Sequence, residues 1–210
     1  MQLSAVTTQS GEQPRVSPDD ELTIDQVFFY HRFTLHTLSS RMSSAQPNPT
    51  TQKGFIDNWI RLILSYARYR RLFVLRVEDA EVAGGDWDEV LRNERINRRV
   101  LPDFLASLIS ELVSRNLAFY EPAKQTRSVI LLWRLPEEWA DVLHSWAMAT
   151  GQINTIFTFY EITDPVVPSP LSGIPIPLLR RAIGNLTRSG RAQTIQVADG
   201  EGVRFFLGGK

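Results

Sequence analysis

The chain alternates between stretches in which apolar residues recur every three or four positions and short runs that are apolar throughout. The first pattern predicts a helix with one buried face, and the second predicts a buried strand. The earlier helical stretch and its run comprise Phe55, Trp59, Leu62, Ile63, Tyr66 and residues 72–75. The later stretch and its run comprise Trp139, Leu143, Trp146, Ala147, Thr150 and residues 156–159. The same order of elements therefore occurs twice.

We interpret the two halves as copies of one fold. Trp139 lies 84 residues after Phe55 (139 minus 55), and Phe157 lies 84 after Phe73 (157 minus 73). A second strong helix in each half is offset by 74 instead, counted from Leu105 (179 minus 105). Constant offsets between core positions indicate an internal repeat. The change from 84 to 74 predicts a second copy that has lost ten residues in its middle.

Each half ends in two strand-like runs joined by a turn. The predicted strands are residues 117–121 and 128–133 in the first half and 194–198 and 203–207 in the second, which turns at residues 199–202. Three helices followed by such a hairpin describe a winged helix, a variant of the helix-turn-helix. We therefore predict an α+β chain of two tandem winged-helix domains, at residues 53–134 and 135–210.

The border between the two domains is predicted within residues 133–139. The apolar run that ends at Trp133 reads as a buried strand, and Pro136 suits the first position of a helix. Glu137 and Glu138 follow, where their charges favour the amino end of that helix. One domain is thus expected to close where the next opens, with almost no linker.

The first residues differ in kind from the rest. Residues 1–26 carry one basic residue, Arg15, among several acids and many Gln, Ser and Thr, so we predict a disordered tail. Residues 27–52 then bring a group of large apolar side chains: Phe28, Phe29, Tyr30, Phe33 and Leu35. These five either fold back onto the first domain or dock into a partner.

Composition adds mainly exclusions. The 210 residues balance 23 Lys and Arg against 23 Asp and Glu, which gives no overall electrostatic case for nucleic acid or an anionic membrane. Cysteine is absent, so disulfides and thiolate metal sites are excluded. No run of 18 apolar residues and no signal-peptide pattern occurs, and we expect a cytoplasmic protein.

Candidate chemistry is sparse. His31, His36 and His144 do not stand at a metal-ligand spacing with one another or with carboxylates. Glu137 and Glu138 are adjacent, so a helix would point them about 100° apart, which does not favour shared acid–base work. No nucleophile motif is present. We predict no catalytic residue, no cofactor and no metal site, and we argue against an enzyme.

A winged helix also suggests the alternative of a DNA-binding transcription factor. The helix that would enter the major groove in the first domain, residues 102–116, has no Lys or Arg before Arg115 and carries Asp103 and Glu111, which would repel phosphates. From residue 175 onward the chain is basic, with six cations against two acids. The cations are Arg180, Arg181, Arg188, Arg191, Arg204 and Lys210. Because only one domain shows this patch, we favour an acidic protein partner over nucleic acid.

Two other groups of arginines have structural interpretations. Arg68, Arg70 and Arg71 are expected at the carboxyl end of the first helix, where cations are favoured. A second group recurs at helical spacing and predicts one solvated helical stripe. Its members are Arg92, Arg95, Arg98 and Arg99.

Several of these motifs together closely resemble the family of small tandem winged-helix subunits of the ESCRT-II complex. They are the sequence of residues 133–139, Trp146, Gly151 with Gln152, residues 157–161 and the ending at 197–206. The resemblance covers roughly Phe28 to Phe206.

The resemblance implies a non-catalytic adaptor. ESCRT-II is a cytosolic complex that is recruited to endosomes and sorts ubiquitinated membrane cargo into multivesicular bodies. In this family the N-terminal half binds core subunits related to vacuolar protein-sorting proteins 22 and 36, a role that falls here to the five apolar residues that begin at Phe28. The second domain recruits an ESCRT-III subunit related to vacuolar protein-sorting protein 20, through that partner's N-terminal helix. Membrane contact is expected only through the complex.

For this recruitment we predict a groove in the second domain, formed by Phe157, Thr158, Phe159, Arg180 and Arg181. The interaction combines apolar side chains with two cations, which suits an amphipathic helix that carries acidic residues.

One departure from the family pattern lies near the N-terminus. Relatives carry two prolines before a continuous Phe-Thr-Leu-Gln-Pro-Asn run, whereas here Phe33 to Leu35 and Gln46 to Asn48 are separated by residues 36–45 and the prolines are missing. Without them the segment loses a preset backbone angle and more entropy is lost on docking. Two explanations stay open, a lineage-specific insertion or a misjoined exon. The interruption of a continuous motif favours the second.

Overall fold

The computed structural model describes residues 49–93, 97–197 and 200–208. None of the helices in these ranges combines the length and the hydropathy that crossing a bilayer requires. The predicted tail, the insert at residues 36–45 and the five apolar residues from Phe28 to Leu35 lie outside the described residues.

The first unit is built on three helices and a three-stranded antiparallel sheet. In chain order its elements are α1 (Pro49–Arg70), β1 (Val74–Arg76), a 3-10 turn (Val77–Ala80), α2 (Asp88–Leu91), β2 (Arg92–Asn93), β3 (Arg98–Arg99), α3 (Pro102–Ser114), β4 (Ala118–Tyr120) and β5 (Ser128–Leu131). The strand order in the sheet is β1-β5-β4. Because α1 begins at Pro49, residues 49–52, which we had assigned to the N-terminal segment, are already helical.

The second unit repeats this plan. Its elements are α4 (Pro136–Ala149), β6 (Ile156–Thr158), α5 (Phe159–Thr163), α6 (Ile176–Arg188), β7 (Ala192–Val197) and β8 (Gly200–Phe205). The strand order is β6-β8-β7, so in both sheets the last strand of the unit lies in the middle. Each unit is a winged helix, as the order of elements predicted.

The offset of 84 between the two first helices is wrong by one turn. At the end of α1 the Leu72 amide donates to the Ala67 carbonyl, and at the end of α4 the Gln152 amide donates to that of Ala147, both at 2.8 Å. Equivalent positions therefore differ by 80 (152 minus 72). A shift of four residues returns a helix almost to the same face, so the apolar pattern alone could not detect the error.

With this phase Trp59 and Trp139 become equivalent, and both are almost completely buried. Within the described part of the chain, neither indole N–H finds an acceptor. The strands differ by 82, because Leu75 pairs with Val129 where Phe157 pairs with Val203. The second copy thus gains two residues before its first strand.

The offset of 74 for the second strong helix is confirmed. After α3 the Leu117 amide donates to the Leu112 carbonyl, and after α6 the Arg191 amide donates to that of Leu186, both at 2.9 Å. The second copy therefore loses eight residues between its first strand and this helix (82 minus 74), where the sequence reading gave ten.

Two local predictions are also corrected. Arg92 and Arg99 face each other across the short strands β2 and β3, so they do not belong to a helical stripe. Asn97 has φ of 49°, a left-handed conformation that Asn tolerates, and it helps to reverse the chain there. In the second wing, pairing continues to Val197 and Gly200, so residues 200–202 belong to β8. The reversal falls at residues 198–199, which lie outside the described residues.

The first sheet is buried on both of its faces. Leu75, Val129 and Leu131 pack into the core of the first unit. Ile130 and Leu132 point the other way and belong to the core of the second unit. A strand that is covered on both faces needs apolar residues at every position, which explains the uninterrupted run that ends in Trp133. The two winged helices therefore share part of their buried surface.

Replacing Ile130 tests whether the two units unfold together. We expect Ile130→Ala to lower the free energy of unfolding by about 2–4 kcal/mol, because the deletion leaves a cavity in a packed core. Ile156→Ala is the matched control, since Ile156 is 45% exposed, and it should cost less than about 0.5 kcal/mol. Chemical denaturation followed by tryptophan fluorescence should show one transition for all three proteins. Two separate transitions would contradict a single cooperative unit.

Candidate protein-interaction surfaces

An aromatic cluster forms the centre of the contact between the two units. Phe73 of the first unit lies 5.2 Å from Trp133 and 5.9 Å from Trp139, measured between ring centres. The two tryptophan rings are 5.1 Å apart, with one edge directed at the other ring. The Trp133 indole N–H donates to the Leu72 carbonyl at 2.9 Å. Phe73, Trp133 and Trp139 are called the joint cluster below.

The sequence around the joint cluster explains why a helix begins there. Pro136 occupies the first turn of α4, where its missing N–H costs no hydrogen bond. The Glu138 carboxylate accepts from the Leu135 amide at 2.8 Å, which satisfies a donor at the helix start. The predicted helix start at Pro136 is confirmed, and Trp133 and Trp139 are held at fixed positions on either side of it.

Arg181 also joins the two units. The central carbon of its guanidinium lies 3.5 Å from the ring centre of Phe119, which stands on β4 of the first unit. A guanidinium over an aromatic face is attracted by the ring's negative potential. This residue, which the sequence placed in a partner-binding groove, therefore contacts the chain's own first domain.

The three consecutive residues predicted for that groove do not share one surface. Phe159 is 5% exposed and belongs to the second core. Phe157 is half-buried and packs edge-to-face on Trp146, with the ring centres 5.8 Å apart. Thr158 caps α5, with its hydroxyl accepting from the Glu161 amide at 3.2 Å. Phe159 starts a helix, so the predicted strand ends one residue earlier.

Arg180 points in another direction from Arg181. Its side chain forms a 2.6 Å ion pair with Glu201 of β8, on the side of the wing that faces α6. Of the five predicted groove residues, only Thr158 lies on the face of the second sheet that is turned away from the helices. That face also carries Ile156, Ile195 and Arg204, which the sequence reading did not single out. Strand alternation was the available signal, but it needed the register of β8.

Most other arginines of the described residues already have partners within the chain. Arg191 pairs with Asp141 at 2.9 Å, and Arg188 bonds to the Asn185 side chain. On the first domain, Arg115 contacts Asp57 at 2.5 Å and Glu111 at 2.7 Å. These two acids raise the pKa of the Arg115 guanidinium. The basic patch of the second domain is therefore less available to phosphates than its sequence suggested.

The one buried histidine of the described residues has a structural contact. His144 on α4 lies within hydrogen-bond distance of the Phe206 carbonyl, at 2.8 Å from Nε2. This contact ties the chain that leaves β8 to the first helix of the same unit. In the described ranges, no three His, Asp or Glu side chains come together in a way that could hold a metal ion.

Comparison with known proteins assigns the chain to a family. The model of the family described as ESCRT-II complex subunit matches residues 31–167, well over half of the sequence. The chain belongs to this family. Its match begins upstream of α1 and extends across the joint cluster into the second domain.

Curated relatives and solved structures agree with the assignment. Vacuolar protein-sorting-associated protein 25 of Danio rerio is 31% identical over 164 residues, which cover 77% of this chain and 90% of the relative. The Homo sapiens protein of that name is 29% identical, with 77% and 89% covered. The crystal structure of subunit VPS25 of the endosomal trafficking complex ESCRT-II superposes with a TM-score of 0.65 at 23% identity, over 78% of this chain and 93% of that one. This likeness shows that the tandem winged-helix fold is shared.

In this ESCRT-II family member, a double-mutant cycle tests the role of Arg181 in the joint. We expect Arg181→Ala and Phe119→Ala to be coupled by about 0.5–1 kcal/mol in the free energy of unfolding, because each removes the same cation–π contact. The neighbouring Arg180→Ala is the control and should show no coupling to Phe119→Ala. Urea titrations of the four proteins of each cycle measure both terms. Equal coupling at Arg180 and Arg181 would contradict a specific contact.

Proposed function

We propose that this chain is a non-catalytic adaptor of ESCRT-II that acts in the sorting of ubiquitinated cargo into multivesicular bodies. The observation that carries the proposal is the family match from residue 31 to residue 167, which includes both the N-terminal segment and the joint between the domains. An adaptor needs two binding surfaces at a fixed separation, and the shared buried surface around Ile130 supplies a rigid connection between them.

The first surface is proposed to bind the ESCRT-II core, made of subunits related to vacuolar protein-sorting proteins 22 and 36. A solved structure titled endosomal complex ESCRT-II (VPS22/VPS25/VPS36) contains a chain with this fold, with a TM-score of 0.65 at 21% identity over 80% of this chain and 96% of that one. We assign the anchoring role to the apolar residues Phe28, Phe29, Tyr30, Phe33 and Leu35. Buried aromatic side chains of this kind commonly dominate the binding energy of an interface.

The second surface is proposed to lie on the second winged helix and to recruit an ESCRT-III subunit related to vacuolar protein-sorting protein 20. Its recruitment would bring the next complex to the endosomal membrane, which this chain reaches only through its partners. The second domain is a complete winged helix with its own core, so it can present a surface that leaves the first domain free to hold the ESCRT-II core.

The winged-helix transcription factor is the weaker alternative. On α3 the solvent-facing positions are Asp103, Ser107, Ser110 and Ser114, none of which attracts phosphate. On α6 Arg180 is paired with Glu201 and Arg181 lies on Phe119, so a DNA duplex would compete with both contacts. These placements support a protein partner.

Truncating the aromatic residues tests the first surface. Combined Phe28→Ala, Phe29→Ala and Phe33→Ala should abolish co-purification with the two core subunits, because a cluster of anchoring side chains is lost. Circular dichroism should remain that of the unchanged chain. The matched control is Tyr160→Ala, which removes an aromatic ring that is 69% exposed on the second domain and should leave co-purification intact. Unchanged co-purification of the triple variant would refute this assignment.

A gel-shift titration with duplex DNA tests the alternative. We expect no shift in low salt at protein concentrations in the micromolar range. A transcription factor should bind, and its affinity should fall by roughly 0.9 log unit per log unit of salt for each phosphate contact. Binding with that dependence, reduced by Arg188→Ala, would replace our proposal for the second domain.

A further inference from the structure

The second sheet has one face that no other described element of the chain covers. Residues directly opposite each other in an antiparallel sheet lie on the same face. Arg204 is opposite both Ile156 and Gln193, and Gly202 is opposite both Thr158 and Ile195. The other face carries Val203 and Phe205, which are buried against the helices of the second unit. Ile156, Thr158, Gln193, Ile195, Gly202 and Arg204 are called the outer face below.

The outer face is the structural counterpart of the surface that holds the two domains together. With the offset of 74, Arg204 corresponds to Ile130 and Gln193 corresponds to Phe119. In the first domain these two positions are apolar and contact the second domain. The protein thus contains two copies of one docking surface. The first is occupied within the chain, and the second is exposed.

The difference in polarity between the two copies indicates a different kind of partner. A permanent interface is strongly apolar, whereas a reversible one is about as polar as the rest of a protein surface. The outer face is mixed in this way. Ile156 is 45% exposed and Ile195 is half-buried, while Gln193 and Arg204 are exposed. This composition suits a partner that binds and leaves.

The dimensions of the outer face fit one helix. Strands lie about 4.8 Å apart, so the two edge strands β6 and β7 are separated by about 10 Å. An α-helix with its side chains is also about 10 Å wide. The six residues of β7 extend for about 20 Å at the rise of an antiparallel strand, which accommodates about thirteen helical residues.

Arg204 determines the charge of that helix. Its Nε–H donates to the Asn154 carbonyl at 2.9 Å, which fixes the direction of the guanidinium. Arg180 and Arg191 of the same domain form ion pairs with carboxylates, but no carboxylate of the described residues pairs with Arg204. An acidic side chain on the partner would supply that counterion. Because the guanidinium is already oriented, little further side-chain entropy would be lost on binding.

We propose that the outer face is where the second domain binds the N-terminal helix of the ESCRT-III subunit, with the helix placing apolar residues over Ile156 and Ile195 and an acidic residue against Arg204. This inference rests on the proposed function, whose ESCRT-III partner it assumes. It replaces the groove predicted from the sequence, since Phe159 and Arg181 are committed to contacts inside the chain and only Thr158 belongs to both sets. The partner helix occupies on the second domain the place that the second domain occupies on the first.

Binding of a synthetic peptide tests the inference. The peptide carries the N-terminal helix of the ESCRT-III subunit related to vacuolar protein-sorting protein 20, and its affinity for the full chain is measured by isothermal titration calorimetry. Ile156→Asp and Arg204→Glu should each weaken binding at least tenfold. Met148→Asp and Arg180→Glu are the matched controls, because Met148 is an apolar residue that is 47% exposed on α4 and Arg180 is an exposed cation that faces away from the outer face. Both controls should bind within twofold of the unchanged chain.

The outcomes separate the inference from the proposed function. If the unchanged chain binds the peptide and the two outer-face variants bind it equally well, the outer face is wrong and the adaptor role stands. If the unchanged chain does not bind the peptide, the ESCRT-III role fails and the inference fails with it. Circular dichroism verifies the fold of each variant. Should Ile156→Asp unfold, Arg204→Glu decides alone, with replacement of the peptide's acidic residues by Lys as a second measure: one such peptide should regain affinity for Arg204→Glu, and no recovery with any of them would overturn the proposed pairing.

Discussion

The packing of the second domain on the first sheet is the constraint on which the rest of the structure depends. β5 directs Val129 and Leu131 into one core and Ile130 into the other, so a single strand stabilises both winged helices. Small domains of this size bury only about 60–65% of their unfolded surface and are marginal alone. Sharing a strand adds buried area to each and removes the need for a linker. The joint cluster around Trp133 then fixes the angle at which the second domain continues.

The same repeat that makes the joint also determines where the array ends. A third domain could stack on the second only if the second sheet presented an apolar surface like that of Ile130 and Phe119. At the equivalent positions the chain has Arg204 and Gln193, whose desolvation without partners would be costly. Terminal repeats of stacked arrays are typically more polar on their outer side. The substitution therefore prevents permanent stacking, while the remaining isoleucines leave enough apolar surface for a transient contact.

Much of the fold could be predicted from the sequence, because local signals marked its elements. Pro102 and Pro136 start helices where expected, and the 74-residue offset of the second strong helix is correct. The predictions that failed depended on information that is not local. A helical pattern shifted by four residues looks the same, so the phase of the first helices needed the hydrogen bonds at their ends. The partner of Arg181 lies 62 residues away in Phe119 (181 minus 119), and no spacing rule connects them. The candidate groove was wrong in composition for this reason, whereas the domain that carries it stays a prediction.

The joint also bears on how an adaptor of this kind can work. Binding energy at one end of a flexible chain only raises the local concentration of the other end, whereas a rigid connection also fixes direction. Here the occupied sheet face at Ile130 and the exposed one at Arg204 are equivalent surfaces of consecutive units. A helix that docks on the second face is therefore placed relative to the second domain as the second domain is placed relative to the first. Each addition repeats one geometric step, so the orientation of the last component is determined by a contact already built into the chain.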